Sequence, residues 1–587
     1  MYKHKNHDFK TAHQILEQWS NQLKKGFRPH DPVAQYLEKL IVAGKEGLNN
    51  LLAQGIVNLN EENPAQDQKQ EQSQAPLSEE TPSKEGAVDA AAEKKAALAA
   101  LKREAKEQAK AYLKSIGMDP GLLDPPPPKP KPSKNQRSSL VVHKSGVKNH
   151  EKYEHGCNCP ECKDGTLYDT NNPSIQREYD LKIQLIIRET AHQRLRCSTC
   201  GSYQTARNDN FSSDRLNPES QVSCAVLRSE GGMPFHRMSH VFDMMGIGLS
   251  KSLIFESCKI IADCFELVLQ AMQREIANCP VLHVDDTGCK ILEVSRREQD
   301  PNYIKGTLKE PSKRVTSRTS VILGCNLQGG VIGCVFIASE RHCGENLAAI
   351  LALRTEPSLP LLMADMSSCS DTPTFKHPSS MEGEKPYIRA GCNDHSLRYL
   401  SDAIAKGNRE LEPLVSRYQK VYAFDATIKE LDPNLRLEMH QNFSLPLMQE
   451  IYDLALGLLK EPDKQLRPEP RSQQGKALKY FVNHFIALIQ FTQVVGAPLS
   501  NAASERAVKK PIMTRKSSGF FQTLEGARVT SLLNSATHTC HMLDCNPYDY
   551  LLALRTNVEQ VKKNPECWTP LAYHMKQQST QLSLKVS

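Results

Sequence analysis

Two short apolar runs in the middle of this chain each stop at a carboxylate. Residues 280–284 (PVLHV) form a strand-type run that ends in Asp285-Asp286-Thr287-Gly288, and 359–364 (LPLLMA) form a second that ends in Asp365. Between them, 290–295 (KILEVS), 320–325 (SVILGC) and 331–337 (VIGCVFI) are rich in β-branched residues. Turn-type stretches such as Gln328-Gly329-Gly330 separate them, which predicts antiparallel strands joined by hairpins. Residues 345–354 (ENLAAILALR) switch to helical spacing, with Leu347, Ile350 and Leu351 on one side. Hairpins followed by one helical crossover predict a mixed sheet, because a parallel neighbour needs a crossover. The strand ending at Asp365 can then lie beside the strand ending at Asp285. An acid at the end of a strand is also ordinary loop chemistry, so the pairing of two such acids matters more than either one.

This arrangement is ribonuclease-H-like, α/β with a mixed sheet, and there a third acid comes from a later helix. Glu505, in 500–510 (SNAASERAVKK), is the candidate, on a helix that Pro511 is expected to stop. Between the second and third acids the pattern is mainly helical, as in 445–459 and 476–494, which predicts a helical insertion at about 396–497 within a catalytic domain spanning 280–545.

Upstream, residues 1–60 show helical patterning, as in 34–52, while 61–86 is rich in Gln, Glu, Ser and Pro and is expected to be disordered. Residues 87–117 favour a helix whose apolar face is mostly alanine, the pattern of a solvated single helix more than of a coiled coil. Residues 118–150 read as an extended Pro/Lys-rich linker, in line with a solvated spacer whose lysines and Arg137 can also touch phosphates. Residues 211–279 are helical, a DNA-binding or connecting segment. In it Gly246-Ile-Gly-Leu-Ser-Lys251 has the form of an interhelical turn capped by Ser250, shared by helix-turn-helix elbows and ordinary turns. Residues 546–587 form a C-terminal segment.

Composition adds direction. The chain has 587 residues, 39% hydrophobic, with a net charge of +7. That length predicts several domains, and the mild basic surplus leans towards a polyanionic partner. No stretch is apolar enough for a secretory signal or a membrane span, so a cytoplasmic protein is expected. Eighteen cysteines in such a chain point to reduced thiols and metal binding before disulfides. Cys159-Pro-Glu-Cys162 and Cys197-Ser-Thr-Cys200 are two CxxC knuckles, and four thiolates on two tight turns suit one structural Zn2+ in a zinc ribbon over 151–210. Cys157 and His155 stand close enough to compete as ligands. Cys392-Asn-Asp-His395 offers two metal-type ligands without a second pair, a poor zinc site by itself. His395 then reads equally as a residue near a scissile phosphate or as a structural hydrogen-bonder.

The blocks HVDDTG (283–288), HCGENLAAIL (342–351), RAGCNDHSLRYL (389–400) and the long stretch 500–551 resemble, in order, the signatures of one bacterial insertion-sequence transposase family. It is the DDE-class family with an N-terminal zinc finger and a C-terminal N-x-x-x-E-R block. The resemblance implies that Asp285, Asp365 and Glu505 are the acidic triad, holding Mg2+ (or Mn2+) for strand cleavage and strand transfer. Two such ions about 4 Å apart can activate the attacking oxygen and stabilise the leaving one, and need only hard oxygen ligands. It also implies DNA as partner, both the element's terminal inverted repeats and target DNA, with a homo-oligomer on DNA and companion proteins of the element. Arg506, Lys509, Lys510, Arg515 and Lys516 cluster after Glu505 and, with His395, are the expected DNA contacts. The chain departs from the pattern after Asp365, where Met366-Ser-Ser-Cys-Ser-Asp371 lacks the usual glycine and tyrosine and leaves Asp371 as an alternative second acid. The paired asparagines before the third acid appear as Ser500-Asn501. A DNA-binding regulator using the ribbon alone, or a host-adopted transposase without activity, is the other reading.

Overall fold

The computed structural model describes residues 84–124, 152–168 apart from 163, 186, 193–205, 215–299, 314–372 and 385–586 apart from 462 and 464. The chain divides into two compact units, Met1–Ala87 and Val88–Ser587, and the account below is of the second. The expectations for 1–60, for nearly all of 61–86 and for the linker beyond 124 fall outside the described residues.

The first described helix, α1 (Lys84–Ser115), is not simply solvated. Ala105, Ala109 and Leu113, spaced by four, are buried against Phe424, Ile428, Leu435 and Met439, and the Tyr112 hydroxyl donates to Glu438 at 2.5 Å. A small-residue stripe lets two helices approach closely, and that contact is invisible in the local pattern. After a short hairpin of β1 (Arg194–Arg196) and β2 (Tyr203–Thr205), three helices follow: α2 (Pro218–Ser229), α3 (Phe235–Met244) and α4 (Lys251–Ala277). The turn before α4 is built as expected. Gly246 takes φ 74°, and Ser250 Oγ accepts from the Leu253 N–H at 3.3 Å.

The sheet is mixed and five-stranded, in the order β5 (Val331–Ser339), β4 (Ser317–Cys325), β3 (Val281–Cys289), β6 (Leu361–Ala364), β7 (Ile388–Gly391). β3, β4 and β5 are antiparallel neighbours. The crossover helix α5 (Cys343–Leu351) returns the chain to β6, which runs parallel to β3. β7, parallel to β6, overlaps the start of the 389–400 block and was not expected as a strand.

Alternation along the strands sorts the side chains into two cores. Leu282, Val284, Ile322 and Leu362 join a cluster with α2, α4, α5 and α12 (Leu524–Met542). Val281, Val321, Leu361 and Met363 join a second cluster with the helical insertion and α11 (Ala502–Ser518). The insertion comprises α6 (Asn393–Ala405), α7 (Glu412–Ile428), α8 (Pro433–Met439), α9 (Leu445–Leu459) and α10 (Gln473–Asn483). α13 (Pro547–Thr556) adds Tyr550, Leu551 and Leu554 to the first cluster.

Hydroxyls cover the edge of β5. Thr539, Ser535 and Ser531, each four residues apart on α12, accept from the N–H groups of Cys334 (3.0 Å), Phe336 (2.9 Å) and Ala338 (3.3 Å). Otherwise unpaired ladder donors are thereby satisfied and the edge is closed to another strand.

Two expectations are corrected. Residues 290–295 are not a strand: Ile291 makes a single bridge to Phe521, and Leu292–Ser295 is one helical turn. Ile291 and Val294 are three apart and both fully buried beside Ala527, which is helix spacing. Nor does Pro511 stop its helix, since α11 runs on to Ser518 and ends at Gly519, whose φ is 76°. Packing of Ala507, Val508 and Pro511 outweighs the one N–H that proline removes.

Candidate active site

Asp285 does not end its strand; β3 continues to Cys289, paired with β4 throughout. What ends is the pairing with β6, which covers only Val281–His283. Asp285 therefore stands where β3 outgrows its parallel neighbour, and Asp365 follows directly after β6. By strand alternation both lie on the face that α11 covers, and Glu505 sits in the first turn of α11. The three acids are close enough for Asp365 and Glu505 to perturb Asp285. Burial first, then the charges of Asp365, Asp286 and Glu505, push its carboxyl up to about 7, against one hydrogen bond from the Asp286 N–H at 2.8 Å.

A stability prediction follows from that shift. Between about pH 4 and 7 the unfolded chain releases a proton that folded Asp285 retains, so its contribution to stability is lost as pH rises through that window. Metal-free Asp285→Asn protein is therefore expected to be more stable than wild type at pH 8 by roughly 1–3 kcal/mol, after allowance for relaxation around a partly exposed group. The difference should vanish near pH 4. Thermal melts of both proteins across pH check it, and a less stable variant at pH 8 would refute it.

Asp365 is held in a tight turn, its Oδ1 accepting from Ser370 Oγ at 2.7 Å and the Ser367 N–H at 3.3 Å, while Arg389 donates to its backbone carbonyl. Asp371, the alternative acid, is engaged elsewhere, 3.4 Å from Arg389 and 3.3 Å from the Tyr387 hydroxyl. Glu505 Oε1 lies 3.6 Å from His395 Nδ1 and 3.8 Å from Cys392 Sγ.

The position of α11 is set by a residue whose role the sequence did not reveal. Asn501, its buried N-cap, donates from Nδ2 to the Val284 carbonyl at 2.9 Å, one residue before Asp285. Its Oδ1 lies 3.0 Å from His283 Nδ1. Because that oxygen can only accept, His283 carries its proton on Nδ1. Burial holds the imidazole at about 4, hence neutral. The clamp ties β3 to the helix of Glu505 through fully buried partners. Its only sequence signal was one asparagine four residues before the acid.

The basic cluster divides. Arg506, Lys509, Arg515 and Lys516 are exposed, and Arg515 also donates to the Gly288 carbonyl at 2.7 Å. Lys510 is a correction: it turns inwards, only 10% exposed, to pair with Glu230 and to donate to Thr537 Oγ1 at 2.8 Å. On a helix, positions 509 and 510 face different sides, and α2 and α12 occupy the second.

The two knuckles form similar turns. The Cys159 N–H donates to the Gly165 carbonyl at 2.7 Å and the Cys197 N–H to the Ser202 carbonyl at 2.8 Å. The Ser202 hydroxyl, hydrogen-bonded to the Cys200 thiol, helps bring that thiol down to about 7. The four thiols are not gathered together: among the described residues one group of such ligands lies within 4.8 Å of one another, Cys392, His395 and Glu505. Most of the segment between the knuckles, including the expected strand at 181–187 apart from 186, lies outside the described residues.

With this geometry in view, comparison with known families is decisive for the centre of the chain. A family described as the IS66 transposases, represented by its DDE domain, matches residues 216–318 and 374–529. The central region is an IS66-family DDE transposase domain. The matched stretches contain Asp285 and Glu505. They leave out 319–373, where Asp365 and the departures after it lie. The chain is also similar to the uncharacterized protein y4jD of Sinorhizobium fredii (strain NBRC 101917 / NGR234), 26% identical over 179 residues, which is 30% of this chain and 34% of that protein. The chain thus spans about a third of that relative's length. The domain is mixed α/β, consistent with a ribonuclease-H-like core. Among the described residues no helix is long and apolar enough to cross a membrane.

Proposed function

We propose that the protein is a DNA transposase that binds the ends of an insertion sequence and carries out divalent-metal-dependent strand cleavage and strand transfer through Asp285, Asp365 and Glu505. What supports this is that Asp365, which follows β6, and Glu505, in the first turn of α11, stand near enough to Asp285 for their charges, after its burial, to help raise its carboxyl to about 7, inside a transposase-family domain. Three carboxylates that influence one another suit a hard cation, which would draw them together. Asp285, Asp365 and Glu505 would hold Mg2+ or Mn2+, which when bound supplies activation of the attacking oxygen and stabilisation of the leaving one.

The chain's own residues bind and orient. Asn501 and His283 fix Glu505 relative to Asp285. Arg506, Lys509, Arg515 and Lys516 present exposed cations to phosphates, and His395 lies beside Glu505 where a scissile strand would pass. Asp285 releases its proton on ligation, so cleavage at subsaturating metal should strengthen as pH rises. The knuckles would hold Zn2+ as a folding element for a DNA-facing ribbon. Self-association on DNA and companion proteins of the element complete the reading.

The test is cleavage of DNA carrying the element's terminal inverted repeats. Mg2+-dependent nicks that expose a 3′ hydroxyl, followed by joining to target DNA, are expected. Tight end binding without cleavage would favour the host-adopted DNA-binding protein. For the ribbon, purified protein should contain zinc, and Cys162→Ser with Cys200→Ser should lower it and expose 151–210 to protease. Zinc-free purified protein would refute it.

A further inference from the structure

Cys392 and His395 lack a second ligand pair in the sequence, and the fold supplies a third donor, Glu505, from 113 residues beyond Cys392. We propose that Cys392, His395 and Glu505 form a site for a thiophilic divalent cation of the zinc class, whose occupation engages Glu505 in competition with Asp285 and Asp365 and arrests strand cleavage. The arrest rests on the triad reading above; the site itself does not.

The distances fit. Tetrahedral zinc with Zn–S of about 2.3 Å and Zn–N and Zn–O of about 2.0 Å places S and O about 3.5 Å apart and N and O about 3.3 Å apart. The corresponding separations are 3.8 Å for Cys392 Sγ to Glu505 Oε1 and 3.6 Å for His395 Nδ1 to the same oxygen. Small side-chain adjustments close the gap. The donors also come from elements already fixed: Cys392 is the N-cap of α6, His395 lies in the first turn of that helix, and Glu505 lies in the first turn of α11.

Two further observations point to a ligand. His395 Nδ1 is buried and has no hydrogen-bond partner, an unsatisfied nitrogen facing the carboxylate. Cys392 Sγ accepts from the Asn501 N–H at 3.2 Å and sits at the N-terminus of a helix. Burial keeps the thiol protonated, and these two features favour the thiolate once a cation replaces its proton, which passes to solvent. A thiolate, an imidazole and one carboxylate select zinc over magnesium, which prefers oxygen throughout. Three protein ligands leave a fourth position open. With Oε1 committed to this ion, Glu505 can offer a second cation only Oε2, and the charge of the bound ion repels that cation, so the two occupations compete.

The experiment uses the full chain with both knuckles intact. Wild type, Cys392→Ser and Cys392→Ala are dialysed against excess Zn2+, then against metal-free buffer, and zinc per chain is measured. Serine retains an acceptor for the Asn501 N–H and alanine is a small apolar alternative, so at least one should fold normally by thermal melt. Each variant is expected to hold one zinc ion fewer than wild type, whatever the knuckles contribute to all three. In Mg2+-dependent cleavage, micromolar Zn2+ should inhibit the wild type, and the variants should need at least about tenfold more. Equal zinc content would overturn the site, and unequal content with equal zinc sensitivity would overturn the arrest. A wild type that holds the extra ion yet never cleaves in Mg2+ alone would strike the triad reading and leave the site standing.

Discussion

Asp285→Asn and Glu505→Gln should each lose end cleavage and strand transfer by on the order of 10³-fold or more, equivalent to about 4 kcal/mol of transition-state stabilisation. Each amide keeps the size and the acceptor oxygen but removes the charge that a hard cation requires. In Asp285→Asn the amide oxygen still accepts from the Asp286 N–H, so the local turn is preserved. Folding should survive, and for Asp285→Asn it should improve at alkaline pH. Binding to end DNA should be retained, because the exposed cations around α11 are untouched. The measurement is single-turnover cleavage of an end-containing duplex in Mg2+, alongside equilibrium binding. Wild-type rates in either variant would remove that residue from the catalytic set. Asp365→Asn should behave alike. Asp371→Asn should not, since its carboxylate is occupied by Arg389 and Tyr387.

Lys510→Ala should lower stability by roughly 2–4 kcal/mol and leave the salt dependence of DNA binding unchanged. Its ammonium lies between Glu230 and Thr537. Burial alone would push the Glu230 carboxyl up, but Lys510, Thr537 and His541 together hold it at about 2. Removing the lysine leaves a half-buried carboxylate with weaker compensation. The sign with pH is definite: a depressed carboxyl contributes stability above about pH 4.5 that is lost as pH falls through about 2, so the variant and wild type should converge in acid. Replacing Lys509 and Lys516 together should do the reverse, flattening the slope of log affinity against log salt by about two with little change in melting temperature. A flattened slope in Lys510→Ala at unchanged stability would return that lysine to the DNA surface.

These contrasts separate what local pattern carries from what it cannot. The sequence by itself determined the mixed sheet, because alternation and β-branched runs define strands and a helical crossover dictates a parallel neighbour. It also allowed Asp285 to lie beside Asp365 and marked a helix at Glu505, whose part in the site came from the family resemblance. The strands and helices themselves rest on periodicity within ten or so residues, which survives in any fold the chain adopts. Whether 290–295 is a strand was not settled by its β-branched content, since the spacing of Ile291 and Val294 suits one helical turn once Phe521 and Ala527 lie against it. Pro511 likewise reads as a stop until tertiary packing holds the helix on both sides of it. Only the tertiary structure decided the pairings between residues far apart in sequence. It put Lys510 inward on Glu230, 280 residues away, and set Asn501 between His283 and Val284. It docked α1 on the insertion and brought Glu505 to Cys392 and His395. The reason is physical: which side of a helix meets protein and which meets solvent depends on the neighbouring elements, and two adjacent lysines carry the same local signal whichever way each one faces.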